Sequence, residues 1–260
     1  MSRYFISGLL CLTVWAGFAQ NDSIPGSKSD SVVYTQPYGL RVGADLSRLA
    51  RTFFNTDYQG FELVGDYRFS ENLYLAAELG NEKLSRMEEL GNENNPNRTV
   101  LYDYTTSGSY IKFGVDYNTY VNWYGMNNTI FIGGRYGLST HTQTLNQYRI
   151  YQSNRYWNPD NLQEGTDLLG EYGGLSASWL EFVFGLKAEM FANIYLGASV
   201  RLGYLIGNKE SETLPNLWIP GFNKVTEGSN FGVGYNYTIT YLIPLYRKAK
   251  KRQAVPEDQE

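Results

Sequence analysis

The sequence predicts an all-β fold: an eight-stranded antiparallel up-and-down transmembrane β-barrel with long extracellular loops. Three observations predict it. The first is a pair of strictly alternating runs between Trp179 and Gly207. In one, Leu180, Phe182, Phe184, Leu186, Ala188 and Met190 oppose Glu181, Val183, Gly185, Lys187 and Glu189. In the other, Ile194, Leu196, Ala198, Val200, Leu202, Tyr204 and Ile206 oppose Tyr195, Gly197, Ser199, Arg201, Gly203 and Leu205. A period of two is a strand signal, and the short Phe191-Ala192-Asn193 joint makes the pair a hairpin. Both runs exceed the ~5–6 residues usual in soluble domains and suit the ~9–11 of a tilted membrane strand. The second observation is that the long connections all fall at one end of the sheet. The third is composition: aromatic residues are 16% of the chain, with 23 Tyr and 27 Gly. Tyrosine suits strands and membrane interfaces, and glycine suits crowded barrel walls.

Taken in order, residues 1–19 read as a secretory signal peptide. Arg3 gives the positive start, Tyr4 to Trp15 the apolar core, and Gly17-Phe18-Ala19 the cleavage site. The sole cysteine, Cys11, lies within it, so the mature chain has no disulfide or thiolate metal site. Residues 20–37 read as a flexible periplasmic segment, 38–246 as the barrel and 247–260 as a periplasmic tail.

Strand one starts near Tyr38, with Leu40, Val42, Ala44 and Leu46 against Arg41, Gly43 and Asp45, and Arg48 to Asp57 follow as a connection. Strand two is Tyr58 to Ser70, with Phe61, Leu63, Tyr67 and Phe69 against Glu62, Val64, Asp66 and Arg68. After a tight turn, strand three sets Leu75, Ala77 and Leu79 against Tyr74, Ala76 and Glu78. Asn81 to Gly108 then reads as a polar excursion. Strand four, Ser109 to Asn118, opposes Ile111, Phe113, Val115 and Tyr117 to Lys112, Gly114 and Asp116. Strand five sets Ile130, Ile132, Tyr136 and Leu138 against Phe131, Gly133 and Arg135. Thr140 to Ala177 reads as the longest excursion, and the hairpin supplies strands six and seven. Asn208 to Ser229 is another excursion, and the last strand sets Phe231, Val233, Tyr235, Tyr237, Ile239, Tyr241 and Ile243 against Asn236, Thr238 and Thr240. Connections after strands one, three, five and seven are long and the others short, as in barrels with periplasmic turns and extracellular loops.

On these residues the chain resembles small outer-membrane barrels of the OmpA/OmpX type. More closely, it resembles a family of exported barrel proteins known only as a domain of unknown function. The likeness rests on the signal peptide, the strand rhythm and the aromatic closing strand YNYTITYLIPLY. It implies an outer-membrane location in a Gram-negative envelope and implies no activity. The chain departs from the pattern after that strand, where the tail starts RKAKKR.

The inward set carries Arg41, Arg68, Lys112, Arg135, Lys187 and Arg201 against Asp45, Glu62, Asp66, Glu78, Asp116, Glu181 and Glu189. The signs nearly cancel, and an eight-stranded interior is just wide enough for side chains to fill it. The expectation is therefore an ion-paired plug, with a narrow ion channel as the alternative. Net charge of -4 leaves no basic footprint for nucleic acid.

No cofactor motif is present, and no residue is assigned a catalytic or metal-binding role. His141, the sole histidine, stands beside Ser139 and Thr140 without a signature joining them. It is the one handle for a lipid A-modifying enzyme. Glu82, Glu88, Glu89 and Glu93 match no compact calcium loop and read as a solvated acidic loop. Tyr117, Tyr120, Trp123 and Tyr124 at one end, and Tyr136, Trp179 and Tyr204 at the other, read as interfacial girdles.

Tyr148, Tyr151, Tyr156, Trp157, Trp218 and Phe222 fall in the long loops, either packing a cap or offering a partner-binding surface. Tail residues Lys248, Lys250, Lys251 and Arg252 fit a solvated tail, anionic headgroups or an acidic partner. The expectation is a non-enzymatic outer-membrane barrel, an accessory or scaffold subunit whose loops dock other envelope proteins. Its surroundings would be outer-membrane lipid and other outer-membrane proteins or lipoproteins, in an outer-membrane protein assembly or export complex.

Overall fold

The structure, a computed structural model, describes residues 35–90, 99–122, 126–151, 162–224 and 229–249. The expected signal peptide, most of the expected segment before the barrel, Glu93, Trp123, Tyr124, Tyr156, Trp157 and the tail from Lys250 lie outside the described residues.

Eight long strands form the wall: β1 Thr35–Asp45, β2 Tyr58–Arg68, β3 Leu73–Leu90, β4 Thr99–Asn118, β5 Thr129–Tyr151, β7 Gly170–Phe191, β8 Ile194–Lys209 and β11 Phe231–Ala249. Each pairs antiparallel with its sequence neighbour in the wall, and β1 pairs with β11 to close the ring. This is the expected up-and-down barrel. Three short strands sit outside the ring. β6, Leu162–Glu164, hangs on the upper end of β5, and β9 Trp218–Ile219 pairs with β10 Asn223–Lys224. Following the register from Arg41 through Asp66, Ala76, Gly114, Arg135, Glu181 and Gly203 reaches β11 at Gly232, well above Leu242, the β11 partner of Arg41. That stagger makes the strands tilt, by ~35–45° in closed barrels.

Two regions differ from the expectation. Arg48 to Asp57 is mostly helix: α1 spans Leu46–Phe54, capped by Asp45, whose carboxylate accepts from the Ser47 N–H at 2.8 Å. Leu46, Leu49, Ala50 and Phe53 already carry the i, i+3, i+4, i+7 spacing that marks it. The polar excursions, in turn, are largely strand. β3 continues to Leu90, β4 begins at Thr99, β5 runs to Tyr151 and β7 begins at Gly170. The last strand continues to Ala249, so Arg247 and Lys248 belong to it.

The outer face explains the difference. From Phe69, Met190 and Ile243 near the short turns up to Leu138, Leu180 and Ile206, outward positions are apolar and exposed. Then one row of the register changes character: Asn81 faces Ser109, Ser109 faces Thr140, and Thr140 faces Ser176. Above it the outward positions are Ser107, Thr105, Thr142 and Thr144. The inward positions change in the opposite sense, from charged to Tyr104, Leu84, Leu145 and Leu175, all buried. The alternation therefore persists while its apolar phase moves from outside to inside.

Candidate functional site

The lumen is the densest collection of functional groups. Near the short turns, Arg41 Nε donates to Asp66 Oδ1 at 2.6 Å and Lys187 Nζ to Asp66 Oδ2 at 2.6 Å. The Arg41 guanidinium lies over the rings of Tyr74 and Tyr195, at 4.7 and 5.2 Å from their centroids. Arg68 clamps the start of β1 to the β2–β3 turn, donating to Gln36 Oε1 at 2.7 Å and the Glu71 carbonyl at 2.9 Å.

At mid-height Glu78 is the hub. Arg201 meets it through two nitrogens at 2.5 and 2.9 Å, and Arg135 and Lys112 approach within 3.4 and 3.8 Å. Lys112 and Arg201 also share Glu181, at 3.0 and 3.3 Å, while Arg135 pairs with Asp116 at 2.7 Å. Burying ions costs several kcal/mol each unless geometry and hydrogen bonds compensate, and here each carboxylate meets at least one cation.

The upper tier contains residues the sequence reading omitted. Arg48 reaches inward from α1 to Glu82, with Glu62 and Asp45 at 3.8 and 3.7 Å. The Tyr58 hydroxyl donates to Glu82 at 2.7 Å, the Tyr110 hydroxyl donates to Glu62, and Asn236 donates to Asp45 and Glu62. Glu82 is fully buried, so it is not part of a solvated acidic loop. It continues the inward parity of Glu78, as Tyr110 continues that of Lys112. Arg48 had no period-two signal, because it sits on a helix. These additions bring one further charge of each sign and keep the balance.

Glu189 departs from the expected network. It lies half-exposed by the β7–β8 turn, accepting from the Asn193 N–H at 3.2 Å and from Asn127 Nδ2 at 3.4 Å. Three voids of about 30, 10 and 10 Å³ lie among the lumen residues, room for roughly one water or less each.

Above the ion pairs the lumen is closed from within by the connection after β8. Trp218, Ile219 and Phe222 are buried, which corrects the reading of Trp218 and Phe222 as loop residues free to meet a partner. Phe222 packs edge-on against Trp179 with centroids 5.6 Å apart, in a cluster with Tyr110, Ala177, Leu205 and Ile219. Trp218 joins a second cluster with Tyr58, Leu84, Tyr104 and Leu145, flanked by Tyr148 and Tyr172. Gly221 turns the segment at φ +82, where a Cβ would stand 2.5 Å from the Tyr110 ring.

Trp179 likewise leaves the predicted girdle. It is fully buried and its Nε1 donates to Glu181 Oε1 at 2.8 Å. The two-residue period had already put it on the face of Glu181 and Val183. Tyr117, Tyr120 and Tyr204 are exposed, and Tyr136 is half-exposed.

His141 and Gln143 hold this cap. His141 Nε2 is 3.1 Å from Asn216 Oδ1, and the Asn216 amide nitrogen is spent on Asn208 and the Lys209 carbonyl. The network therefore places the proton on Nε2. Gln143 donates to the Pro215 carbonyl at 3.1 Å and accepts from the Leu217 N–H at 2.9 Å. Burial pushes the His141 pKa below its usual value, with the Asn216 bond opposing, and pushes the Tyr104 hydroxyl up to about 12.

His141 Nδ1 and Ser139 Oγ have no hydrogen-bond partner among the described residues, and an amide occupies the place of a triad acid. Tyr148 is partly buried and donates to Asp167 Oδ1 at 2.7 Å, while Tyr151 ends β5. No group of three or more His, Cys, Asp or Glu side chains suited to a metal occurs among the described residues.

The family described as Domain of unknown function (DUF6048) matches residues 1–248, so the chain belongs to it. No curated protein matches the sequence. Among solved structures, the crystal structure of Acinetobacter baumannii CarO2 is similar, at 12% identity and a TM-score of 0.37. The match covers 80% of this chain and 99% of that one.

Proposed function

We propose that this member of the DUF6048 family is a non-enzymatic outer-membrane barrel that docks other envelope proteins at its long-loop end. The apolar outer belt supports the location. It closes around the barrel, ends at a row of Ser, Thr and Asn, and surrounds a lumen whose charges are paired. A wall with hydrocarbon outside and polar groups inside is the signature of a membrane barrel.

One observation carries the docking reading: β3, β4, β5 and β7 continue far above the apolar belt, braced from inside by an apolar core. A simple anchor needs no such tower. Its outer face of Ser107, Thr105, Thr142 and Thr144 is a rigid platform, and binding to a preformed surface loses little ordering entropy. The docking surface of this reading is the sheet face, since Trp218 and Phe222 are buried. We infer that the partners are other outer-membrane proteins or lipoproteins, as in an assembly or export complex.

Affinity purification in mild detergent tests this with two variants, Thr142→Arg on the platform and Phe113→Leu on the belt. The reading expects the same co-purifying proteins with wild type and Phe113→Leu, and their loss with Thr142→Arg. A chain that runs alone in all three preparations sinks it. The filled lumen also predicts no single-channel current in planar bilayers.

A further inference from the structure

The ring of strands is incomplete in its upper half. β1 stops pairing with β2 at Ala44–Leu63 and with β11 at Asp45–Thr238. β2 nevertheless continues upward to Tyr58, and β11 begins at Phe231, above its last contact with β1. Between them one strand's width of wall is missing, within the height of the apolar belt marked by Phe61, Val233 and Tyr235. Unpaired strand edges facing hydrocarbon leave main-chain polar groups with neither water nor a partner, so open edges are not tolerated there.

Helix α1 occupies the gap, packing against both β2 and β11. A helix about 10 Å across fits a gap two strand spacings wide, each ~4.8 Å. Its inner face is polar and used. Arg48 enters the lumen network, and Thr52 Oγ1 accepts from the Gly60 N–H at 2.8 Å and donates to the Gly60 carbonyl at 3.0 Å. Thr52 thereby engages both main-chain groups of Gly60 on the β2 edge, its single O–H lying 3.0 Å from the Gly60 and Arg48 carbonyls alike. The outer face is Leu46, Ala50, Phe53 and Phe54, and Phe53 and Phe54 are 82% and 91% exposed. No belt residue on the strands is as exposed.

We propose that α1 is a lipid-inserted seal: a helical stave of the barrel wall whose Phe53 and Phe54 are buried in the interfacial layer of the outer leaflet. The occupant of this face is lipid because it continues the apolar belt: Leu46 follows the outward Leu40 and Val42 along the chain, and Thr52, next to Phe53, is hydrogen-bonded to Gly60, next to Phe61. Arg51, stacked 4.0 Å from the centre of the Tyr58 ring, sits on the headgroup side, as a snorkelling cation would. The inference rests on the membrane reading above and specifies where this helix lies within it.

The cysteine-free mature chain permits a direct test. Single variants Phe54→Cys, Phe113→Cys and Ser107→Cys carry a nitroxide in vesicles of phosphatidylcholine and phosphatidylglycerol. Collisional accessibility to oxygen and to a nickel chelate is then read for each. The Phe54 label is expected to favour oxygen several-fold over the Ser107 label, at a depth between those of Ser107 and Phe113. If the Phe54 label matches Ser107 while Phe113 favours oxygen, the seal is wrong and the membrane reading stands. A Phe54 label shielded from both reagents indicates a protein occupant and overturns the lipid assignment. If the Phe113 label is itself open to nickel, the membrane reading fails and takes the seal with it.

Discussion

The lower and upper halves of one lumen are held by opposite chemistries. Within the apolar belt the interior is a lattice of ion pairs around Glu78, Asp66 and Glu82. Above it, the same strands enclose Trp218, Leu84, Tyr104 and Leu145, with His141 and Gln143 as polar pins. On the proposed membrane placement, what differs is the medium outside. Where the outer face would meet lipid, an apolar side chain gains little by turning inward, because hydrocarbon is already its surroundings. Specific packing must then come from paired polar groups. Where the outer face meets water, the hydrophobic effect drives apolar residues into the lumen. The two halves therefore predict different failures.

Glu78→Leu should be the most damaging change, because it leaves Arg201, Lys112 and Arg135 short of a carboxylate in a closed space. Breaking a buried pair from one side costs about 3–5 kcal/mol. Urea unfolding in vesicles, read by heat-modifiable gel migration, should show the whole barrel destabilised. Glu78→Leu with Arg201→Met should recover a large part of that loss, and a double variant as weak as the single would mean that the pairing itself contributes little.

Trp179→Ala should come next. It removes the indole between Phe222 and Glu181, where the two halves meet, at about 3–5 kcal/mol for a buried Trp. Trp218→Ala acts on the upper half alone. Barrel migration on gels should stay unchanged while amide exchange rises across 214–222. Global unfolding by Trp218→Ala would show that the upper core is not separable from the ion-paired barrel.

This boundary also decided what the sequence could disclose. Each belt strand was legible, because Leu180, Phe182 and Phe184 against Glu181 and Val183 is a pattern only an amphipathic strand produces. Strand ends were not, because tracking apolar outward residues fails where the phase inverts. Ser107 and Ser109 look like loop, yet Tyr104, Thr106 and Tyr110 keep the same parity inside. The ion pairs were readable in kind from parity alone, apart from Arg48 on its helix and Glu189 at the turn. The cap was not readable. Trp218 and Phe222 are separated from their partners by long stretches of chain, and no local period indicates whether a loop aromatic folds in or out.

The smallest expected effect lies at the pins of the upper half. The histidine pKa is lowered in the folded protein, so between the folded and unfolded values the unfolded state binds more protons. Stability from neutral His141 is present above its ordinary value near 6.5 and is lost as pH falls below it. Protonation adds a charge beside the Asn216 amide, with the ring's second nitrogen unpartnered among the described residues. Amide protection factors at 214–222, which divide out the base catalysis of exchange, should fall a few-fold between pH 7.5 and 5, by no more than the tenfold per unit that one proton allows. Exchange in β2 and β8 at belt height should not follow. His141→Gln removes the titration and should flatten the profile while keeping a donor for Asn216. A Gln variant that retains the pH dependence would move the sensor away from His141 and into the ion-paired half, erasing the contrast between the two.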